Sequence, residues 1–248
     1  MRNDLSSSES SGMIQAGVPH ASDDIRSGES IEVLQDVLQP AVSLSLWQRL
    51  PDLDLAAWLS QRLQSRSAVE CYGTADAIDV PALVDRALCS PGSIPGSHDA
   101  EPRERFIADV QQLVRLFCSL RPEGKQHVLH VKLSMVDKAD CPVLHTDWVT
   151  LRLICTYLGA GTEYAAAHTV TRTALCRPLG SHAETNAAIL RDPQGLRRMP
   201  PFAVGVMKGN GYPGHEGRGL VHRSPPAGSG RRIKLIIDST LPPEGHEV

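Results

Sequence analysis

No apolar run in this chain approaches the roughly 20 residues a helix needs to span a bilayer, and the N-terminus lacks the basic-then-apolar layout of a secretory signal. A cytoplasmic location is the resulting expectation. The six cysteines (Cys71, Cys89, Cys118, Cys141, Cys155 and Cys176) form no Cys-x-x-Cys pair, which excludes a zinc ribbon and a thioredoxin-like site. They read as reduced, mostly buried thiols. A concentrated basic surface is also missing: the net charge is −3, and the basic residues are scattered apart from the pairs Arg197-Arg198 and Arg231-Arg232. That argues against general nucleic-acid binding, which needs many phosphates neutralised on one face. There is no phosphate-binding loop either. Gly159-Ala160-Gly161-Thr162-Glu163-Tyr164 lacks a following Lys-Ser or Lys-Thr and opens no helix, so it reads as a tight turn. No internal repeat is visible.

What remains is a chain of 248 residues, long enough to bury a sizeable core in one large domain. Residues 1–29, rich in Ser, Gly, Asp and Glu, have too few large apolar groups to offset ordering entropy and read as a disordered leader. Residues 30–240 read as a single domain, with 241–248 as a flexible tail. Its first part, 30–125, is mainly helical in pattern. Ile31, Val33, Leu34, Val37 and Leu38 suit a short amphipathic helix ending before Pro40, and Val42 to Trp47 alternates as a strand. Helical spacing returns at Leu55 to Leu63, Val80 to Cys89 and Arg103 to Leu120, where Phe106, Val110, Leu113, Val114 and Phe117 define one face. The Pro- and Gly-containing stretch Ser90 to Pro102 links the last two.

From residue 126 the texture is mainly β, with candidate strands at His127 to Val136, Val149 to Tyr157, Ala165 to Ala174, Phe202 to Met207 and Arg232 to Asp238. Helices followed by strands predict an α+β fold, with the N-terminal helices packed against a β-core. The core is expected to be a double-stranded β-helix, a jelly-roll or cupin-like barrel that brings residues 145, 147 and 222 to one mouth.

Those three residues carry the chemistry. In His145-Thr146-Asp147 the outer two side chains project from one side of an extended strand, and His222 supplies a later third ligand. With 10 His and 16 Asp, a chain of this length carries about 0.65 His-x-Asp pairs by chance, so the flanking strand patterns must supply the specificity. Two histidines and one carboxylate leave about half of an octahedral metal's positions open, the arrangement of non-haem Fe(II) oxygenases. A thiolate at Cys141, four residues before His145, would favour zinc instead. His168 and His182 read as surface residues and His215 as part of a mobile glycine-rich turn; His127 and His130 fall on opposite faces of one strand.

A keto acid held by such a metal needs a cation for its far carboxylate, and a guanidinium offers a bidentate fork. Arg231 and Arg232 follow His222 by nine and ten residues and lie on opposite faces of the last strand; alternation alone does not choose, and Arg232 is slightly favoured. Arg152, isolated among apolar strand residues, is a second candidate for a buried anion partner. Tyr157, on the face opposite Arg152, reads as core. Ser224-Pro225-Pro226 reads as a stiff extended loop at the rim of the site.

Ser45-Leu46-Trp47-Gln48-Arg49, His145-Thr146-Asp147, Arg152 to Tyr157, Gly161-Thr162-Glu163 and Gly219 to Pro226 together resemble a bacterial family known only as domain of unknown function 1826, over roughly residues 30–240. The resemblance implies no reaction. Gene neighbourhoods of that family include zinc metallochaperones, which would implicate metal homeostasis. More distantly, the His-x-Asp, distal His and trailing Arg resemble the Fe(II)/2-oxoglutarate dioxygenases. That resemblance implies Fe(II) and 2-oxoglutarate as cofactors, with zinc as the alternative metal for a non-catalytic metal-binding protein.

Overall fold

The computed structural model describes residues 24–62, 67–88, 100–120, 128–136, 141–177, 179–226, 228 and 230–240. Ten strands occur among them: β1 (Ile25–Gly28), β2 (Leu44–Trp47), β3 (Ser67–Gly73), β4 (Val128–Val136), β5 (Leu151–Leu158), β6 (Glu163–Ala165), β7 (Leu196–Arg198), β8 (Val204–Lys208), β9 (Val221–Arg223) and β10 (Arg232–Thr240). Four α-helices accompany them: α1 (Leu53–Ser60), α2 (Val80–Leu88), α3 (Ala100–Ser119) and α4 (His182–Ile189). The strands form a seven-stranded sheet in the order β1-β2-β8-β5-β10-β4-β3 and a three-stranded sheet in the order β7-β6-β9. All pairings are antiparallel except β1 with β2.

The large sheet has two different sides, because alternate residues point opposite ways. On one, Leu129, Val131 and Leu133 of β4, Leu151, Leu153, Cys155 and Tyr157 of β5 and Ile233, Leu235 and Ile237 of β10 meet the apolar faces of α1, α2 and α3. The face of α3 expected from spacing, Phe106 to Phe117, is buried there. On the other side the same strands present Arg152, Lys132, Ser134, Lys234 and Asp238 toward a cavity, while Ile154 and Met207 pack with Tyr164 and Leu220 near the small sheet. The molecule is thus a mixed α/β structure with helices outside one face of the sheet. No described helix is long and apolar enough to cross a membrane.

Several expectations are corrected. Ile25–Gly28 lie in the stretch read as a disordered leader, yet they form β1, because their backbone pairs in parallel with β2. The N-terminal part is less helical than its spacing suggests: besides the expected strand at β2 it gives β1 and β3 to the large sheet, and Ile31–Leu38 is a 3₁₀ helix. Ala165 to Ala174 is not a strand. After β6 its backbone turns through short 3₁₀ segments at Ala167–Thr169 and Arg172–Ala174, and Val170 alone makes a bridge, to Leu190. Residues 1–23, 89–99, 127 and 241–248, which include most of the leader and of the linker, His127 and the tail, lie outside the described residues, while the linker's last three residues, from Ala100, already belong to α3.

One partly buried ion pair ties the helical layer to the sheet. Arg49, just after β2, forks onto Asp109 of α3 at 2.5 and 2.9 Å and donates from Nε to the Phe202 carbonyl at 2.6 Å. The Tyr157 hydroxyl donates to the same carboxylate at 2.6 Å. Removing the guanidinium would strand a half-buried carboxylate, so Arg49→Ala should lower unfolding free energy by about 3–5 kcal/mol. Tyr157→Phe, which leaves the ion pair in place, should cost about 1 kcal/mol. Urea unfolding followed by circular dichroism measures both, and equal losses would contradict this ranking.

His215 is packed into the structure rather than exposed on its glycine-rich turn. It is 3% exposed and its Nε2 lies 3.2 Å from Ser43 Oγ. Burial, reinforced by the charges of Lys208, Arg218 and Arg172, pushes its pKa from 6.5 down to about 4. Between those values the unfolded chain binds a proton that the native state excludes, so stability is full above pH 6.5 and is lost as pH falls toward 4. The urea midpoint should decline across that window, with a shallower decline in His215→Gln.

Candidate metal centre

The site begins with a backbone pairing. His145 N donates to His222 O and His222 N donates to His145 O, each at 3.0 Å, an isolated antiparallel bridge that adds His145 beside β9 of the small sheet. His145 and Asp147 therefore do not lie on a regular strand, as alternation suggested; β5 starts only at Leu151. Residues facing each other in such a pair project to one side, which sets the imidazoles together with ring centroids 4.5 Å apart.

Two asparagines hold the loop on either side of His145. Asn186 of α4 accepts from Leu144 N at 2.7 Å and donates to the Pro142 carbonyl at 3.0 Å. Asn210 donates from its side chain to Thr146 Oγ1 at 2.9 Å and from its backbone to the Asp147 carbonyl at 2.7 Å. Neighbouring Gly209 lets the two loops touch: a Cβ there would lie 2.0 Å from the Val149 carbonyl oxygen.

The ligand atoms point at one another. One nitrogen or oxygen from each of His145, Asp147 and His222 lies within 4.8 Å of the other two. His222 Nε2 is 3.1 Å from Asp147 Oδ2 and His145 Nε2 is 3.7 Å from Oδ1. Each imidazole directs Nδ1 to a backbone carbonyl, His145 to Val143 at 2.8 Å and His222 to Leu220 at 3.1 Å. Those carbonyls accept only from a protonated Nδ1, which makes Nε2 the nitrogen that each ring can offer to the centre. Burial, with the nearby charge of His222, lowers the His145 pKa and favours its neutral form. Burial alone would raise the Asp147 carboxyl, but the hydrogen bond and charge of His222, with Arg152 and His145, hold it far below the usual carboxylate range. A metal ion would take the place of the proton between His222 Nε2 and Asp147 Oδ2, and two imidazoles ligating through Nε2 together with an ionised carboxylate fit a divalent first-row metal. Cys141 is placed behind this set, its Sγ 3.5 Å from His145 Nδ1 and so on the far side of the ring from Nε2.

A cavity of about 480 Å³ opens between the sheets beside His145 and His222. Arg152 lines it, with its donors turned to carboxylates: Nε and one Nη reach Asp238 at 2.6 and 2.7 Å, and the other Nη donates to Asp147 Oδ2. Arg232 is 2% exposed and shares the cavity-side face of β10 with Lys234, Ile236 and Asp238, but lies beyond the lining; Arg231 is exposed before the strand begins. Lys234, which the sequence reading did not select, lines the cavity at 6% exposure, with Ser134 and Thr156 as its register neighbours. Its signal was present, as a lysine in step with Arg232 on an otherwise apolar strand. His130 and Lys132 also face the cavity, each bound to Glu70, at 3.0 and 2.6 Å. His168 and His182 are exposed and away from it. Ser224 rims it, with its backbone N–H on the Cys141 carbonyl at 2.8 Å.

No curated protein matches this chain in sequence. Solved structures similar to it include a rice dioxygenase for auxin oxidation, at 14% identity, covering 86% of this chain and 81% of that one, with a TM-score of 0.46. The Arabidopsis thaliana dioxygenase for auxin oxidation 1 in complex with 2-oxoglutarate matches at 12% identity, 90% and 94% coverage and a TM-score of 0.48. An oxidoreductase of the 2OG-Fe(II) oxygenase family from Burkholderia pseudomallei matches at 12% identity, 89% and 95% coverage and a TM-score of 0.42. The family described as Protein of unknown function (DUF1826) matches residues 28–238, most of the chain, and the protein belongs to it.

Proposed function

We propose that this protein is a non-haem Fe(II) oxygenase built on a double-stranded β-helix and using 2-oxoglutarate. The observation that carries the reading is the convergence of His145 Nε2, Asp147 and His222 Nε2 at the wall of a cavity whose other walls carry cations. The antiparallel order β8-β5-β10-β4, faced by a smaller sheet that His145 joins by its bridge to β9, is the layout such a barrel requires. His145, Asp147 and His222 would hold the metal, leaving positions open toward the cavity. Bound there, Fe(II) supplies dioxygen activation coupled to oxidative decarboxylation of the keto acid.

The chain's own groups do the rest. The backbone carbonyls of Val143 and Leu220 keep the imidazoles in the ligating tautomer, and Arg152 orients one oxygen of Asp147. Lys234, lining the cavity from β10, supplies positive charge for the distal carboxylate of the keto acid, with Ser134 beside it on β4 and Arg232 further along the same face of β10 as the next cation. The second reading is a non-catalytic zinc protein of metal homeostasis, loaded by or delivering to a metallochaperone. It uses the same three ligands without a keto acid, since Cys141 lies on the Nδ1 side of the His145 ring, away from the centre.

Anaerobic titration with Fe(II) and then 2-oxoglutarate separates the two. The wild-type protein should bind one Fe(II) and develop the weak visible charge-transfer band of a chelated keto acid; tight metal binding without the band would select the zinc reading. Asp147→Ala should abolish stoichiometric Fe(II) binding while the protein stays folded. Lys234→Ala should keep Fe(II) but weaken 2-oxoglutarate by about 10-fold or more, the scale of a lost charge-assisted contact. An unchanged keto-acid affinity would move the anchor to Arg232, to be read from Arg232→Ala.

A further inference from the structure

The strongest group of side chains outside the ligand triad runs directly away from it. Both Asp147 oxygens reach the imidazoles, Oδ2 at 3.1 Å from His222 Nε2 and Oδ1 at 3.7 Å from His145 Nε2, and it is Oδ2 that also accepts from Arg152. Arg152 is in turn held through two parallel bonds by Asp238, at 2.6 and 2.7 Å, and Asp238 is 5% exposed. The two residues are register partners on adjacent strands, so the fork is set by the sheet itself. A guanidinium is planar and rigid, and three of its five N–H groups are committed here.

We infer that Asp238 is a positioning residue for the metal centre, acting through Arg152: it turns the guanidinium so that a single N–H clamps Asp147 Oδ2 and leaves Oδ1 for the metal. Asp147 would thereby offer a metal one oxygen free of Arg152, which would preserve open positions on the cavity side. This rests on the metal-centre reading above. Without Asp238, the two N–H edges it occupies are released within reach of Asp147. The guanidinium then forks onto both oxygens of the ligand and competes with the metal.

The consequence has a sign that ordinary structural damage does not produce. Asp238→Ala should weaken binding of Co(II), used alone as the probe metal, by about 10–100-fold, the usual scale for loss of a partner behind a metal ligand. Adding Arg152→Gln should restore affinity to within about 3-fold of the Arg152→Gln single variant, because the competing cation is gone; such coupling is what a double-mutant cycle measures. Co(II) absorption should also differ in Arg152→Gln, where Asp147 is free to offer both oxygens. Asp238→Asn, nearly isosteric, repeats the cycle should the alanine variant fail to fold, as judged by circular dichroism and thermal melting of the metal-free protein.

Wild-type protein that takes up no Co(II) or Fe(II) would overturn the metal-centre reading itself. Wild-type binding with equal affinity in both Asp238 variants would overturn only the role of Asp238. A double variant that binds more weakly than Asp238→Ala would do the same, since Asp238 would then not act through Arg152.

Discussion

Two hydrogen bonds between the backbones of His145 and His222 are the constraint on which the site depends. Each residue lies in a short or irregular segment, far from the other in sequence. Pairing them fixes the direction of both side chains at once, since residues directly opposite each other in an antiparallel pair project to one face. It also carries the loop containing Asp147 against the small sheet, where Asn186 and Asn210 hold its two flanks. A metal site needs its donors within a few tenths of an ångström, and backbone pairing supplies that where a free loop does not.

Charges on the cavity side follow a similar logic. The inner faces of these strands are far more polar than a sheet covered on both sides usually allows. Register offsets the cost: Arg152 stands opposite Asp238, Lys132 opposite Glu70 and Arg223 opposite Glu163. Each pair is also in direct contact, at 2.6, 2.6 and 2.7 Å respectively. Burying an ion is expensive unless its counter-ion is held in good geometry, and cross-strand neighbours provide that geometry without ordering any extra loop. The cavity wall can therefore be highly charged and still belong to a folded sheet.

How much of this was legible in the chain depended on whether the signal was local. The α3 face and strands β4, β5 and β10 follow from spacing because each buries one apolar face, and residues such as Phe106, Leu133 and Leu235 are buried as expected. The grouping of His145, Asp147 and His222 was legible through His-x-Asp and the later histidine, although an isolated bridge rather than a strand brings them together. β3 was missed because it is an edge strand whose cavity side reads Ala68, Glu70 and Tyr72, with little apolar alternation. Helix α4 was missed for want of an amphipathic stripe, although Ser181 caps its N-terminus, accepting from Glu184 N at 3.2 Å. Ala165 to Ala174 was misread because its Thr169, Val170 and Thr171 suggest extension, while its turn geometry is set by contacts with α4 and the segment after it. The brace from Asp238 through Arg152 to Asp147 depends on register between distant strands, which no spacing encodes.

The same strands thus serve two purposes by alternation. Leu153, Cys155 and Tyr157 of β5 hold the helical layer, while Arg152 and Ile154 between them face the cavity; on β10, Leu235 and Ile237 alternate with Lys234 and Asp238 in the same way. The apolar burial that dominates stability lies on the helix side. Side chains on the cavity side are free to carry charge and metal-binding geometry at modest cost to the core. For that reason side chains on the cavity side can change while the scaffold persists, and a cavity-side variant that still melts cooperatively has kept its helix-side core.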